Sequence, residues 1–433
     1  MTTGQKVIYS TILMLISPIL ALVQGLRSKD QRYQRWVLTL FATIYASTFS
    51  LKGIGDGTRH WQRVYDYYTD LSFSQFWSDL IGIILFRTNA FVNDDVYIHL
   101  LSYFVGGVLG APGLFFVFVG FVYGYFFAGS MVKIFRCFPS FFQHFPYFII
   151  AVYFIAILNL QSMNTVRTWT GFWVMFYGVL QYHETRRLKY FALIFAAPLI
   201  HIGYFIMALP IWAVVFLPLK RYWIMIVYVA SFSFTFITPQ FVMSSLQSLE
   251  LEAGRAKAQD YYTETKETVA GRIEKFGGSR WYRVYKKSGI LDWAVVGIVL
   301  VFLINGDYLR RMDSLESLLF SAGLASKVLS NSIWFIWAAS NRSATIANLF
   351  VLAAITVYWQ RNYLAGKAID LYVLLKPVLY TAILFIIPGF FFYLSNTLEY
   401  LSAYIFFLPE LAWTNEDIKI TIRELLGILL GID

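Results

Sequence analysis

VYIHLLSYFVGGVLGAPGLFFVFVGFVYGYFFAGSMVKIF, residues 96 to 135, decides the fold class. Its second half is an apolar run that ends on the basic KIFR of 133 to 136. A helix needs roughly 20 predominantly apolar residues to cross a bilayer. Runs of that kind recur along the whole chain, which excludes a soluble domain with a single anchor. Of 433 residues, 58% are hydrophobic and 14% charged, and the mean hydropathy is +0.59, whereas an ordinary soluble domain carries about 25% charged residues. The sequence therefore predicts an all-α polytopic integral membrane protein, a single membrane domain over residues 1–433. The first half of the opening stretch, 97 to 110, is apolar but ends at Ala111-Pro112-Gly113. It is too short to span, and chain parity requires that it does not.

The net charge of +10 is explained by the excess of Lys and Arg in cytoplasmic loops of membrane proteins, so no nucleic-acid partner is expected. Cys137 is the single cysteine, which leaves neither an intramolecular disulfide nor a cysteine-ligated metal site. The first apolar run, Val7 to Leu26, lacks a basic n-region and a small-residue cleavage site and is predicted to be a retained helix.

Basic residues concentrate in RSKDQRYQR (27–35), KIFR (133–136), ETRRLK (184–189) and KR (220–221), with LRR (309–311) and QRNYLAGK (360–367) fitting the same side. These loops are placed in the cytoplasm. Two spans, 147–161 and 168–182, then fit between Phe138 and Gln181, with MNTVR (163–167) as their outer turn and Arg167 outside. The interval 191–218 is too short for two crossings and predicts a hairpin of short helices. His201 lies near its tip, three residues after Pro198, where the helix is expected to break. SNRS (340–343) is a third outward turn, carrying Arg342 between spans 318–339 and 343–359. Longer outward loops cover about 52–95 and 241–291, the second helical from Ser248 to Phe276 and followed by RWYRVYKK (280–287). An amphipathic surface helix is predicted at about 414–431.

Four features occur in order. DGTR (56–59) has tyrosines close behind it. The 96–135 segment joins a short helix, a Gly/Pro turn and a long span, with acidic residues before it. Arg167 opens a helix and His201 sits in a Pro-containing hairpin. NRSATI (341–346) comes last. In this order the chain resembles the EpsG-like branch of bacterial Wzy-type polysaccharide polymerases, over roughly residues 50–360. The chain departs from that pattern in DDVY (94–97), where the family tends to carry a Glu-Pro element, and in the 241–291 loop, which matches no family motif.

The resemblance implies a GT-C-type glycosyltransferase bundle of roughly 10–14 transmembrane or re-entrant helices. It implies a multi-pass protein of the bacterial cytoplasmic (inner) membrane with its site facing the periplasm or cell exterior. Donor and acceptor would be undecaprenyl-pyrophosphate-linked glycans, with no metal or other cofactor. The bilayer, a chain-length regulator and a flippase would be its partners.

The chemistry of such a transfer suits certain residues. Negative charge grows on the departing pyrophosphate, and Arg167 and Arg342 can stabilise it, since guanidinium stays charged and grips phosphate oxygens in pairs. His201 is the candidate proton acceptor for the attacking sugar hydroxyl. Arg59, Asp56, Tyr65 and Asp95 are candidates for substrate contact, and Tyr67 and Tyr68 share with Tyr65 the option of stacking on sugar rings. Each has a plainer reading. The arginines can anchor helix ends, His201 can be a packing residue, the tyrosines can belong to the interfacial aromatic belt, and Asp94-Asp95 reads first as a solvated turn and second as a metal-binding or catalytic pair. Another GT-C transferase or a ligase is the in-class alternative, distinguished by dependence on Asp94 and Asp95. A flippase is the alternative of another class, although the two related halves expected of a transporter are not evident.

Overall fold

The computed structural model describes residues 2–50, 56–85, 95–136, 145–233, 290–304, 306, 311–334, 336–364, 376, 379–384, 394–395, 397–410 and 420–431. These residues are mostly helical and form no strand; two isolated antiparallel bridges, Phe49 with Leu401 and Ser402 with Thr421, are their only β pairings. In chain order the α-helices of eight residues or more are α1 (Thr3–Ile16), α2 (Pro18–Leu26), α3 (Gln31–Ser47), α4 (Asp56–Arg63), α5 (Phe73–Ile84), α6 (Val96–Tyr103), α7 (Phe115–Ile134), α8 (Phe145–Ile157), α9 (Val166–Thr185), α10 (Leu188–Ile200), α11 (Leu209–Phe216), α12 (Arg221–Ser231), α13 (Ile290–Ile304), α14 (Ser314–Ser332), α15 (Trp337–Leu364) and α16 (Ile422–Leu430). Four of them start on the same local signal. Thr2, Ser72, Asp313 and Thr421 each cap the backbone while a Gln or Glu three residues on caps them in return.

Among the described residues two helices, Pro112–Ile134 and Ala338–Asn362, are long and apolar enough to cross a membrane. The chain divides into two units. The first comprises Met1–Gln143, Asn159–Ile202 and Tyr393–Asp433, and the second His144–Leu158 and Gly203–Phe392.

In the first unit, α7 packs between α3 and α9. Gly120 and Gly124 face Ala46 and Ala42, and a Cβ on Gly120 would lie 2.6 Å from Ala46 Cβ and 2.9 Å from the Ala42 carbonyl oxygen. Where lipid is as apolar as the side chains, such close backbone approach supplies the dispersion contact that holds helices together. On the other flank Trp173, fully buried on α9, meets Tyr123 and Phe127 of α7 edge-on. One end of this bundle is basic: Arg35 stacks over Tyr125 and Tyr177, and Lys133 pairs with Glu184. The three basic loops at 27–35, 133–136 and 184–189 therefore share one end. α9 has 20 residues, so its first turn lies about 30 Å away along its axis.

In the second unit α14 and α15 form an antiparallel hairpin. Gly323 sits under Ala347 and Val351, and Ser330 and Ser340 exchange hydrogen bonds across it at 2.9 Å. The unit holds two ion pairs: Lys327 with Asp292 at 2.7 Å, and the part-exposed Arg361 with the buried Glu316 through two bonds of 2.8 Å.

The structure corrects several sequence expectations. The run Val7 to Leu26 is two helices, because Pro18 has no N–H to give and its ring opposes the preceding turn. SNRS is not a turn. The reversal follows Ser332, the last residue of α14, and Ser340 to Ser343 lie inside α15, where the serines allow close approach to α14. Pro198 does not end α10, which runs on to Ile200 before His201 turns extended (φ −151°, ψ 117°). Proline obstructs the turn before it, so residues after it can stay helical. Val96–Val108 is helical and shorter than a span, as expected. The segments 241–289 and 411–419 lie outside the described residues, as does Asp94.

Candidate functional site

The site lies at the end of the first unit opposite the basic loops, around Asp95. This residue precedes α6 with extended backbone (φ −126°, ψ 129°), yet its side chain does not cap that helix. Both carboxylate oxygens are engaged elsewhere. Oδ2 accepts from Arg167 Nη1 at 2.7 Å and lies 3.3 Å from His201 Nδ1, and Oδ1 accepts the Ile202 backbone N–H at 2.6 Å. Asp95 is 1% exposed. The expectation of a solvated turn is thus overturned: the carboxylate is a buried junction joining α9 to the end of α10. Burial opposes its ionisation, but the His201 hydrogen bond and charge, the Arg167 charge and the Ile202 N–H outweigh this and hold its carboxyl at about 2.

A second carboxylate approaches from α4. Asp56, the first residue of that helix, bonds Arg59 at 2.9 Å and stands 3.9 Å from Arg167 Nη2 and 3.8 Å from His60 Nε2. Gly57 makes this approach possible, since a Cβ there would run into Asn164 Oδ1 and Phe116 Cζ. The helix thus rests directly on the 160–164 turn that delivers Arg167. That turn is fixed to α7 by Tyr123, whose hydroxyl meets Ser162 Oγ at 2.8 Å.

His60, one turn after Asp56, is the residue that sequence reasoning missed. It is 3% exposed, and neither ring nitrogen has a hydrogen-bond partner among the described residues. Burial, followed by the Arg167 charge, lowers its pKa to about 4, so the ring is neutral at pH 7. The signal was its spacing: in DGTRH, Asp56 and His60 stand at i and i+4 and share a helix face.

Of the sequence candidates, Asp56, Arg59, Asp95, Arg167 and His201 come together here. Arg59 is the outermost, with its side chain 68% exposed. Tyr65 is 42% exposed and lies edge-on to Trp61, so it is accessible. Tyr68 is not: it is buried against His99, whose Nδ1 it meets at 2.9 Å, while Tyr67 donates to Asp79. Arg342 belongs to the second unit, where it is a half-buried residue near the start of α15. Among the described residues no three His, Cys, Asp or Glu side chains converge to hold a metal ion.

The arrangement can do two things chemically. With Nδ1–H directed at Asp95, His201 carries its lone pair on Nε2, the tautomer of an imidazole prepared to take a proton, and the carboxylate stabilises the imidazolium that results. Arg167 is held at one edge by Asp95, and its Nε is buried without a hydrogen-bond partner among the described residues. Comparison with protein-family models, with curated proteins and with solved structures finds no match to this chain.

Proposed function

We propose that the chain is a glycosyltransferase of the bacterial cytoplasmic membrane that polymerises undecaprenyl-pyrophosphate-linked oligosaccharide repeats into a cell-surface polysaccharide. The observation that carries this reading is the buried Asp95 carboxylate holding Arg167 and His201 together. A proton acceptor and a permanent cation at one point are what transfer from a pyrophosphate donor to a sugar hydroxyl requires.

In the proposed reaction an acceptor hydroxyl oxygen attacks the anomeric carbon of the donor. The bond from that carbon to the pyrophosphate oxygen breaks, and its electron pair leaves with the carrier pyrophosphate. The hydroxyl proton passes to His201 Nε2. Asp95 keeps the imidazole in the required tautomer, and Arg167 offsets the charge growing on the leaving group. The site faces the outside of the membrane in this reading, an orientation supported by the clustering of basic loops at the other end of α9.

Purified protein is reconstituted in liposomes with lipid-linked repeat units, and products are resolved as a glycan ladder. A ladder from the wild type, lost in both Arg167→Ala and His201→Ala, is the expected result; Arg342→Ala is measured beside them. A ladder that survives both of the first two substitutions sinks the site assignment. Carrier that moves between leaflets with no ladder formed would instead favour a flippase.

A further inference from the structure

His60 takes no part in the steps above, yet it is the most anomalous group in the site. A buried polar side chain nearly always has a hydrogen-bond partner, and an unsatisfied one destabilises the fold. This imidazole is buried with both nitrogens unpartnered among the described residues, one turn from Asp56 and in the field of Arg167, Asp95 and Arg63. An apolar residue would fill the same space without that penalty, so the sequence retains a costly group at this position.

We infer that His60 and Asp56 form a subsite that binds a carbohydrate hydroxyl. A neutral imidazole offers one N–H and one lone pair, and the adjacent carboxylate offers lone pairs, which together complement a group that both donates and accepts. The field at the ring favours neither sign, because the Arg167 and Arg63 charges are opposed there by Asp56 Oδ1 at 3.8 Å and by Asp95, so a neutral group suits the place better than an anion. A metal cation does not suit it either, with Arg167 Nη2 3.9 Å from the same Asp56 oxygen. The subsite rests on the polymerase reading for its substrate class. It divides the site into an arm for the leaving pyrophosphate at Arg167 and an arm for a sugar hydroxyl at His60.

The test uses thermal unfolding of the detergent-purified full chain, His60→Phe and His60→Leu. The probes are the free oligosaccharide released from the purified lipid-linked repeat and, separately, inorganic pyrophosphate. Without probe, at least one variant is expected to unfold about 2 °C or more above the wild type, since an unsatisfied group has been removed. The oligosaccharide is expected to raise the midpoint of the wild type and to leave both variants unmoved, while pyrophosphate raises all three. The inference is overturned if both variants unfold below the wild type or fail to fold, which marks His60 as structural. It is also overturned if the oligosaccharide shifts variants and wild type alike, or shifts none of them. The ladder assay separates the two readings. A wild type that makes no ladder but shows the His60-dependent shift loses the polymerase reading and keeps the subsite; variants that polymerise at the wild-type rate lose the subsite and keep the polymerase.

Discussion

Two buried charge clusters, one in each unit, have opposite characters. In the second unit Arg361 clamps Glu316 through paired 2.8 Å bonds, gives a further bond to the Arg311 carbonyl, and leaves the buried carboxylate satisfied. Lys327 and Asp292 close on each other in the same way. In the first unit the charges do not close. Asp95 is saturated, but Arg167 Nε and both nitrogens of His60 are buried and unpartnered among the described residues. Closed clusters serve as staples between helices, whereas a cluster with unused donors and acceptors has capacity for something else. Counting buried ion pairs would rank the two clusters as equals, and following each lone pair separates them.

The sharpest way to break this comparison is Arg361→Leu. It strands a fully buried carboxylate and should destabilise the protein by about 3–5 kcal/mol, measured by denaturant titration, with little change in the rate per folded molecule. Replacing Arg361 and Glu316 together by Leu should recover most of that loss. Arg167→Ala is the counterpart in the open cluster. It should lower the polymerisation rate about 10²–10³-fold, the effect typical of losing one preorganised charge-stabilising donor.

The pH dependence sharpens the same contrast. His60 titrates lower in the folded chain than in the unfolded one, so between about 6.5 and about 4 the unfolded state binds more protons and stability falls as pH falls. The change amounts to about 3 kcal/mol and should vanish in His60→Phe. Asp95 has the sign of a depressed carboxyl. Its contribution, about 2 kcal/mol, is fully present above about 4 and is lost as pH drops through about 2, so Asp95→Asn should flatten that lowest part of the curve.

Arg167 and His201 were legible in the sequence because a charge or an imidazole between apolar runs is conspicuous and hard to explain away. Asp95 was legible as a position but not as a role. Its neighbours read as a polar loop, and its partners lie 72 and 106 residues away, beyond any local pattern. The turn placed at SNRS failed for the converse reason: serine and asparagine favour caps, but here small serines serve the packing of α14 on α15. His60 is hard to read because DGTRHWQR (56–63) is a polar segment with no apolar periodicity to mark it as a helix, so the shared face of Asp56 and His60 shows only once the helix is known.

The chain leaves α4 through a π-helical turn, Val64–Tyr68, against which Gly106 of a second such turn, Phe104–Val108, lies directly: a Cβ on Gly106 would come 3.0 Å from Tyr68 Cβ. A π-turn holds one residue more than the α ladder requires. Deleting a single residue from 64–68 would let the ordinary ladder close through this segment. Everything upstream would then swing by about 100°, the angular step of one helical residue. The helix would survive, but Asp56 and His60 would be turned away from Arg167. The register of this surplus residue, more than the identity of any one side chain, is what keeps the two arms of the site facing each other.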